Sequence, residues 1–139
     1  MKLKKIPLYL LFLILVYSCG SQNLEEKNMI VTLSAQTRGA SKIIIITNIE
    51  GGYKTLHQEK LFSLSDKEKQ QLNSFVSNVN LSEISQLIAP SQKRFSDGAL
   101  AADLEIQIGE KIYNSSQFDY DNPPKELKNL IGFLKSLIE

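Results

Sequence analysis

One cysteine and one histidine are all this chain has of either, and those scarcities remove much of the chemistry a small protein could carry. A lone Cys19 cannot close an intramolecular disulfide and leaves no second thiolate for a cysteine-built metal site. His57 has no partner at HxH or HExxH spacing, so a centre built mainly of histidine is excluded. On an expected strand, it reads as a surface histidine rather than a catalytic one. There is no G-x-S-x-G elbow and no P-loop. Basic residues cluster no further than Lys93-Arg94, so the electrostatic footprint of a nucleic-acid binder is missing and no such partner is expected. No internal repeat or low-complexity block breaks the chain. No cofactor or metal is expected.

Long apolar runs are equally scarce. Ile6 to Val16 is the only one, interrupted by Pro7. At a helical rise of about 1.5 Å per residue it covers roughly half of a ~30 Å hydrocarbon core. With Lys2, Lys4 and Lys5 before it, it has the length and flanks of a signal-peptide core. The run closes on Val16-Tyr17-Ser18-Cys19-Gly20. This motif resembles the lipobox of bacterial lipoproteins, with Val16 in the aliphatic position, Ser18 in the small position and Cys19 as acceptor. Tyr17 departs from the strict pattern. The resemblance implies that residues 1–18 are a cleaved signal peptide and that Cys19 becomes the lipidated amino terminus. Residues 19–28 would be a tether and 29–139 a single domain. Two or more acyl chains anchor a protein stably, because each buried methylene contributes about 0.8 kcal/mol. Implied with it is an outer-membrane location facing the periplasm, or alternatively the cell surface. Glu25-Glu26 resembles the acidic export signals of such proteins, although a solvated linker explains it as well.

The whole chain carries 16 basic and 15 acidic residues. Three of the lysines precede Cys19, so 13 basic face 15 acidic residues after the cut, a net −2.

Met29 to Ala35 is an expected first strand, and the turn-rich QTRGAS follows at 36–41. Ile43-Ile44-Ile45-Ile46 favours a second strand covered on both faces. Glu50-Gly51-Gly52-Tyr53 reads as a hairpin turn, and Thr55 to Ser63 as the third strand. Ser65 and Glu68 form a capping box. Leu72, Phe75, Val76 and Val79 then make one apolar helical stripe. Leu81, Ile84, Leu87 and Ile88 suggest a short second helical piece. The segment from Leu100 to Ile108 alternates cleanly. A three-residue loop would pair Ile108 with Ile112 on the core face. Ile112 to Phe118 would be the last strand. Asp121 or Asn122 would cap a closing helix with Pro123-Pro124 in its first turn. Leu127, Leu130, Ile131 and Leu134 belong to its apolar face. The order βββα(α)ββα predicts an α+β domain: an antiparallel sheet of four to five strands with two main helices mostly on one face.

The runs RGAS, APSQKRFSDGA and YNSSQFDYDNPPKEL, each ahead of an expected strand or helix, resemble small Bacteroidota lipoproteins classed as domains of unknown function. That resemblance spans about residues 29–138 and implies a fold without an activity.

Alternating strands would gather the 36–41 turn and the starts of both helices at one end, and the 91–98 loop joins them if the segment after Val79 brings the chain back to that end. Arg38, Lys93, Arg94, Asp97, Asp119, Tyr120 and Asp121 would cluster there, away from the tether, which enters beside the 50–53 turn. Such a cluster could bind an envelope protein or a small ligand. It could equally be structural, with Arg38 pairing Asp97 or Asp119 and Asp121 capping the helix. A non-catalytic binding module is the leading expectation. The alternative is a carboxylate-based hydrolase or carbohydrate-processing enzyme using Asp97 and Asp119.

Overall fold

The computed structural model describes residues 28–139. The leader, Cys19 and the tether up to Lys27 lie outside the described residues. The strands are β1 (Met29–Thr37), β2 (Ala40–Thr47), β3 (Glu50–Thr55), β4 (Glu59–Ser63), β5 (Ala101–Ile108), β6 (Lys111–Asn114) and β7 (Phe118–Asp119). The helices are α1 (Asp66–Ser77) and α2 (Lys128–Ser136), with single 3₁₀ turns at Ile84–Gln86, Lys93–Ser96 and Lys125–Leu127. The sheet runs β4-β3-β2-β1-β5-β6, with β7 also on β5, and every pairing is antiparallel. This is the expected α+β class with an antiparallel sheet and two helices, built from more strands than the four or five expected.

Alternation makes the core. Met29, Val31, Leu33 and Ala35 of β1 point to the same side as Ile44 and Ile46 of β2 and Ala102, Leu104 and Ile106 of β5. Both helices cover that side. α1 buries Leu72 and Val76, and α2 buries Leu130, Ile131 and Leu134. The rings of Phe75 and Phe133 meet at 5.4 Å between the two helices. Each fully buried leucine or isoleucine contributes about 1.5–3 kcal/mol. The capping box is as expected: Glu68 N–H donates to Ser65 Oγ at 3.3 Å, and Ser65 N–H donates to Glu68 Oε2 at 2.7 Å.

Several local expectations are corrected. Gly51 and Gly52 lie inside β3, not in a turn. A methyl group on Gly51 would overlap the Phe62 ring opposite it, so the glycine admits a cross-strand aromatic contact. The turn falls at Asn48-Ile49, where Thr47 Oγ1 accepts from the N–H groups of Ile49 (3.2 Å) and Glu50 (3.1 Å). A second turn at residues 56–58, closed by Thr55 N–H to Gln58 O at 2.7 Å, separates β3 from β4. His57 is therefore on an exposed turn rather than a strand. This additional strand reverses the chain, so α1 starts at the Met29 end of the sheet and not beside the 36–41 turn.

Gly109, at φ 61°, permits a two-residue turn that pairs Ile108 with Lys111. The one-residue shift from the expected register sends Ile112 to the opposite face, where it is exposed. The expected last strand is broken at residues 115–117: Leu104 N–H donates to Ser115 Oγ at 2.9 Å in place of a ladder carbonyl. The short helical piece after Leu81 is one 3₁₀ turn, burying Ile84. α2 begins only at Lys128, and no side chain caps it. Asp121 instead pairs with Lys135 at 3.3 Å.

The run of four isoleucines is covered on one side only. Ile44 and Ile46 enter the core, whereas Ile45 is 43% exposed and Ile43 half-buried. On the second face of the sheet Leu61 and Ile45 stay exposed, while the buried residues of both helices join the core on the first.

Candidate functional site

At the Thr37 end, β7 pairs with the start of β5 and sets Asp119 at the sheet margin. Residues 91–94 wrap it. Ser91 Oγ and Lys93 N–H donate to Asp119 Oδ2 at 2.6 and 2.9 Å. Arg94 N–H and Arg94 Nη1 donate to Oδ1 at 3.0 and 3.1 Å. Asn122 Nδ2 steadies Ser91 Oγ at 2.8 Å, and Arg94 Nη1 also reaches Ser91 O at 2.7 Å. Asp119 is 1% exposed and the Arg94 side chain 9%. Burial alone would push the Asp119 carboxyl up, but the donors from Ser91, Arg94 and Lys93 outweigh it and lower its pKa to about 2. With two donors on each oxygen, the carboxylate's acceptor sites are taken. The arrangement holds an anion in place and offers no proton at neutral pH.

The other members form separate contacts. Arg38 Nε stands 4.0 Å from Asp97 Oδ2, with side chains 93% and 60% exposed, a geometry worth little. Asp97 closes the 3₁₀ turn in a left-handed conformation at φ 56°. Tyr120 is buried beneath two lysines: Lys135 Nζ lies 3.7 Å and Lys42 Nζ 5.2 Å from its ring centre. Burial, then the neighbouring Tyr53, Asp121 and Glu139, raises the Tyr120 pKa. Lys93 enters through its backbone N–H. The structure thus brings Lys93, Arg94 and Asp119 into one knot, Arg38 and Asp97 into a loose pair, and Tyr120 and Asp121 under Lys135. A recess of about 220 Å³ beside the knot is lined by Ser91, Lys93, Gly98, Asp119, Asp121 and Asn122 among others. It is smaller than the ~300–1,000 Å³ of ordinary ligand pockets.

The open side of the sheet is a surface that sequence reasoning missed. Across β4 to β1, the outward positions Leu61, Ile45 and Ile43 are aliphatic, and Gly52 leaves a notch between Leu61 and Ile45. Leu61 is 70% exposed. The resulting groove of about 190 Å³ ends at the Lys54–Glu59 pair, 3.8 Å apart. Across β1 and β5 the same face becomes polar at its centre: Thr32 lies opposite Glu105, and Ser34 opposite Asp103, with Ile30 and Ile112 flanking Gln107 toward the Met29 end. Asp103 and Glu105 are same-face neighbours on β5, roughly 7 Å apart along the strand. Burial, then the charge of Glu105, raises the Asp103 pKa. The alternation of β5 carried the signal for these two outward carboxylates. The signal for Ile43 and Ile45 was hidden, because an unbroken apolar run implies cover on both sides.

Among the described residues no group of three His, Cys, Asp or Glu side chains is placed to hold a metal ion, and no helix is long and apolar enough to cross a membrane. Neither a protein-family model, nor a curated protein, nor a solved structure matches this chain.

Proposed function

We propose that this chain is a lipid-anchored protein of the bacterial cell envelope whose domain is a non-catalytic binding module. The anchor reading rests on the Val16–Cys19 motif, with Cys19 lipidated and residues 1–18 removed. The observation that carries the binding reading is the open sheet face, with Leu61 and Ile45 exposed on either side of Gly52, on the face opposite the one the two helices cover. Exposed aliphatic side chains grouped on one face mark interaction surfaces in soluble domains. Described residues begin at Asn28, at the opposite end of the sheet from the Asp119 knot. A membrane anchor there would leave the knot pointing outward and the open face accessible from the side. The favoured location is the outer membrane facing the periplasm, with the cell surface as the alternative.

A hydrolase using Asp97 and Asp119 has less support. Asp119 already accepts from four donors, and a catalytic carboxylate needs a free oxygen aimed at its substrate. In this reading Arg94, Asp119 and Ser91 lock the loop.

Affinity capture from membranes tests the binding role, with Cys19→Ala as the control for anchoring and Leu61→Lys as the control for the face. The expected result is a defined partner recovered by the native chain and lost with Leu61→Lys. Recovery of no partner, or one indifferent to Leu61, would contradict it.

A further inference from the structure

We propose that the open sheet face docks a polypeptide segment that presents aliphatic side chains next to lysine or arginine. This deepens the binding-module reading and rests on it. Charge complementarity selects the occupant. The charged residues at outward ladder positions are Glu50, Lys54, Glu59, Asp103 and Glu105. Four are acidic, and the one lysine is already paired with Glu59. Asp103 and Glu105 meet only Ser34, Thr32 and Asn114 across the strands, so no described cation neutralises them. Two carboxylates roughly 7 Å apart on one strand repel each other across this face. An incoming cation removes that repulsion, while a neutral or acidic ligand retains it.

The same charges weigh against other occupants. A second copy meeting face to face would oppose acidic residues to acidic residues. An anionic lipid surface would be repelled in the same way. On the aliphatic half itself a small apolar ligand would find a groove of ~190 Å³, below the usual pocket size; the larger recess of about 420 Å³ at the Met29 end is lined by residues 28–30 and 47–50 and reaches neither Leu61 nor Asp103. A polypeptide fits both halves at once. Ile43 and Asp103 are two strand spacings apart across the face, or roughly 10 Å. An extended segment covers that span in about three residues, and a helix in about seven.

The test uses the full-length chain extracted from membranes in detergent. It is immobilised and panned with a random-peptide phage library. Selected peptides are then measured against Ile45→Lys/Leu61→Lys and against Asp103→Asn/Glu105→Gln. Thermal unfolding checks each variant, and Ile45→Thr/Leu61→Thr replaces the lysine pair if that pair perturbs folding. The expected binders carry Lys or Arg with Ile, Val or Leu and are lost on the first variant. They bind the second about three- to tenfold more weakly, and their affinity falls as salt rises. Binders that need Ile45 and Leu61 but are neutral or acidic would overturn the cationic chemistry and leave the binding-module reading standing. The absence of any binder sensitive to Ile45 and Leu61 would overturn both. A dimer of the native chain dissolved by Leu61→Lys would assign the face to a second copy. Binding that emerges only when residues 19–27 are removed would assign it to the mature chain's own amino-terminal segment. Either of those results overturns the proposal.

Discussion

Replacing Asp119 with asparagine would keep the shape of the knot but leave Arg94, almost wholly buried, facing a neutral amide. A buried charge stripped of its partner costs about 3–5 kcal/mol, so Asp119→Asn should lower the unfolding free energy by about 3 kcal/mol in a denaturant titration. Arg38→Ala should change it little, because that pair is exposed. Acid should act on the same residue. The folded carboxyl has its pKa lowered from 3.8 to about 2, so the unfolded chain takes up the proton first as pH falls. The resulting stabilisation, about 2 kcal/mol, is present above pH ~4 and is lost between pH ~4 and ~2. Stability measured across that window should decline more steeply for the native chain than for Asp119→Asn. The clustering of Arg94 with Asp119 was legible in the sequence, since strand alternation brings the 91–98 loop to β7. Which arginine takes the carboxylate was not legible, because that depends on the 3₁₀ turn at Lys93–Ser96 folding the Arg94 side chain inward.

Elements were legible where local chemistry alone decides them. The capping box of α1 is such a case: its donor and acceptor lie three residues apart, and Ser65→Ala should cost about 1 kcal/mol by thermal or chemical unfolding. The core stripes of β1, β5 and both helices follow from periodicity in the same way. Elements failed to be legible where a distant contact decides them. Gly51-Gly52 has the composition of a turn, yet Gly51 is required by Phe62 on the neighbouring strand. Gly51→Val should therefore destabilise the fold by about 1–3 kcal/mol through overpacking against Phe62 and Ile46. A glycine placed in an open turn would tolerate the change far better, and equilibrium unfolding distinguishes the two. Ile112 fails for a related reason. A left-handed Gly109 shortens the turn by one residue and moves the side chain to the other face.

At the scale of the whole domain, both helices of the described residues lie on one face of the sheet, and the other face sets the aliphatic Leu61, Ile45 and Ile43 beside the acidic Asp103 and Glu105. The class of fold was legible from the order of patterned segments, but the asymmetry of cover was not, since sequence alone does not say whether a β-branched run has helices on one side or both. A lipid anchor at Cys19 would hold the Met29 end toward the membrane. Mass spectrometry of the mature amino terminus should find Cys19 as the first residue carrying acyl chains; an unmodified terminus or a different cut would contradict the anchor. The binding role is tested most directly by photo-crosslinking in cells. A photoreactive residue is placed at Leu61 or Ile45 on the open face, and at Asn129 on the exposed side of α2 as the control. Adducts of defined mass should form from positions 61 and 45 and not from 129. No adduct from the open face, or the same adducts from all three positions, would contradict it.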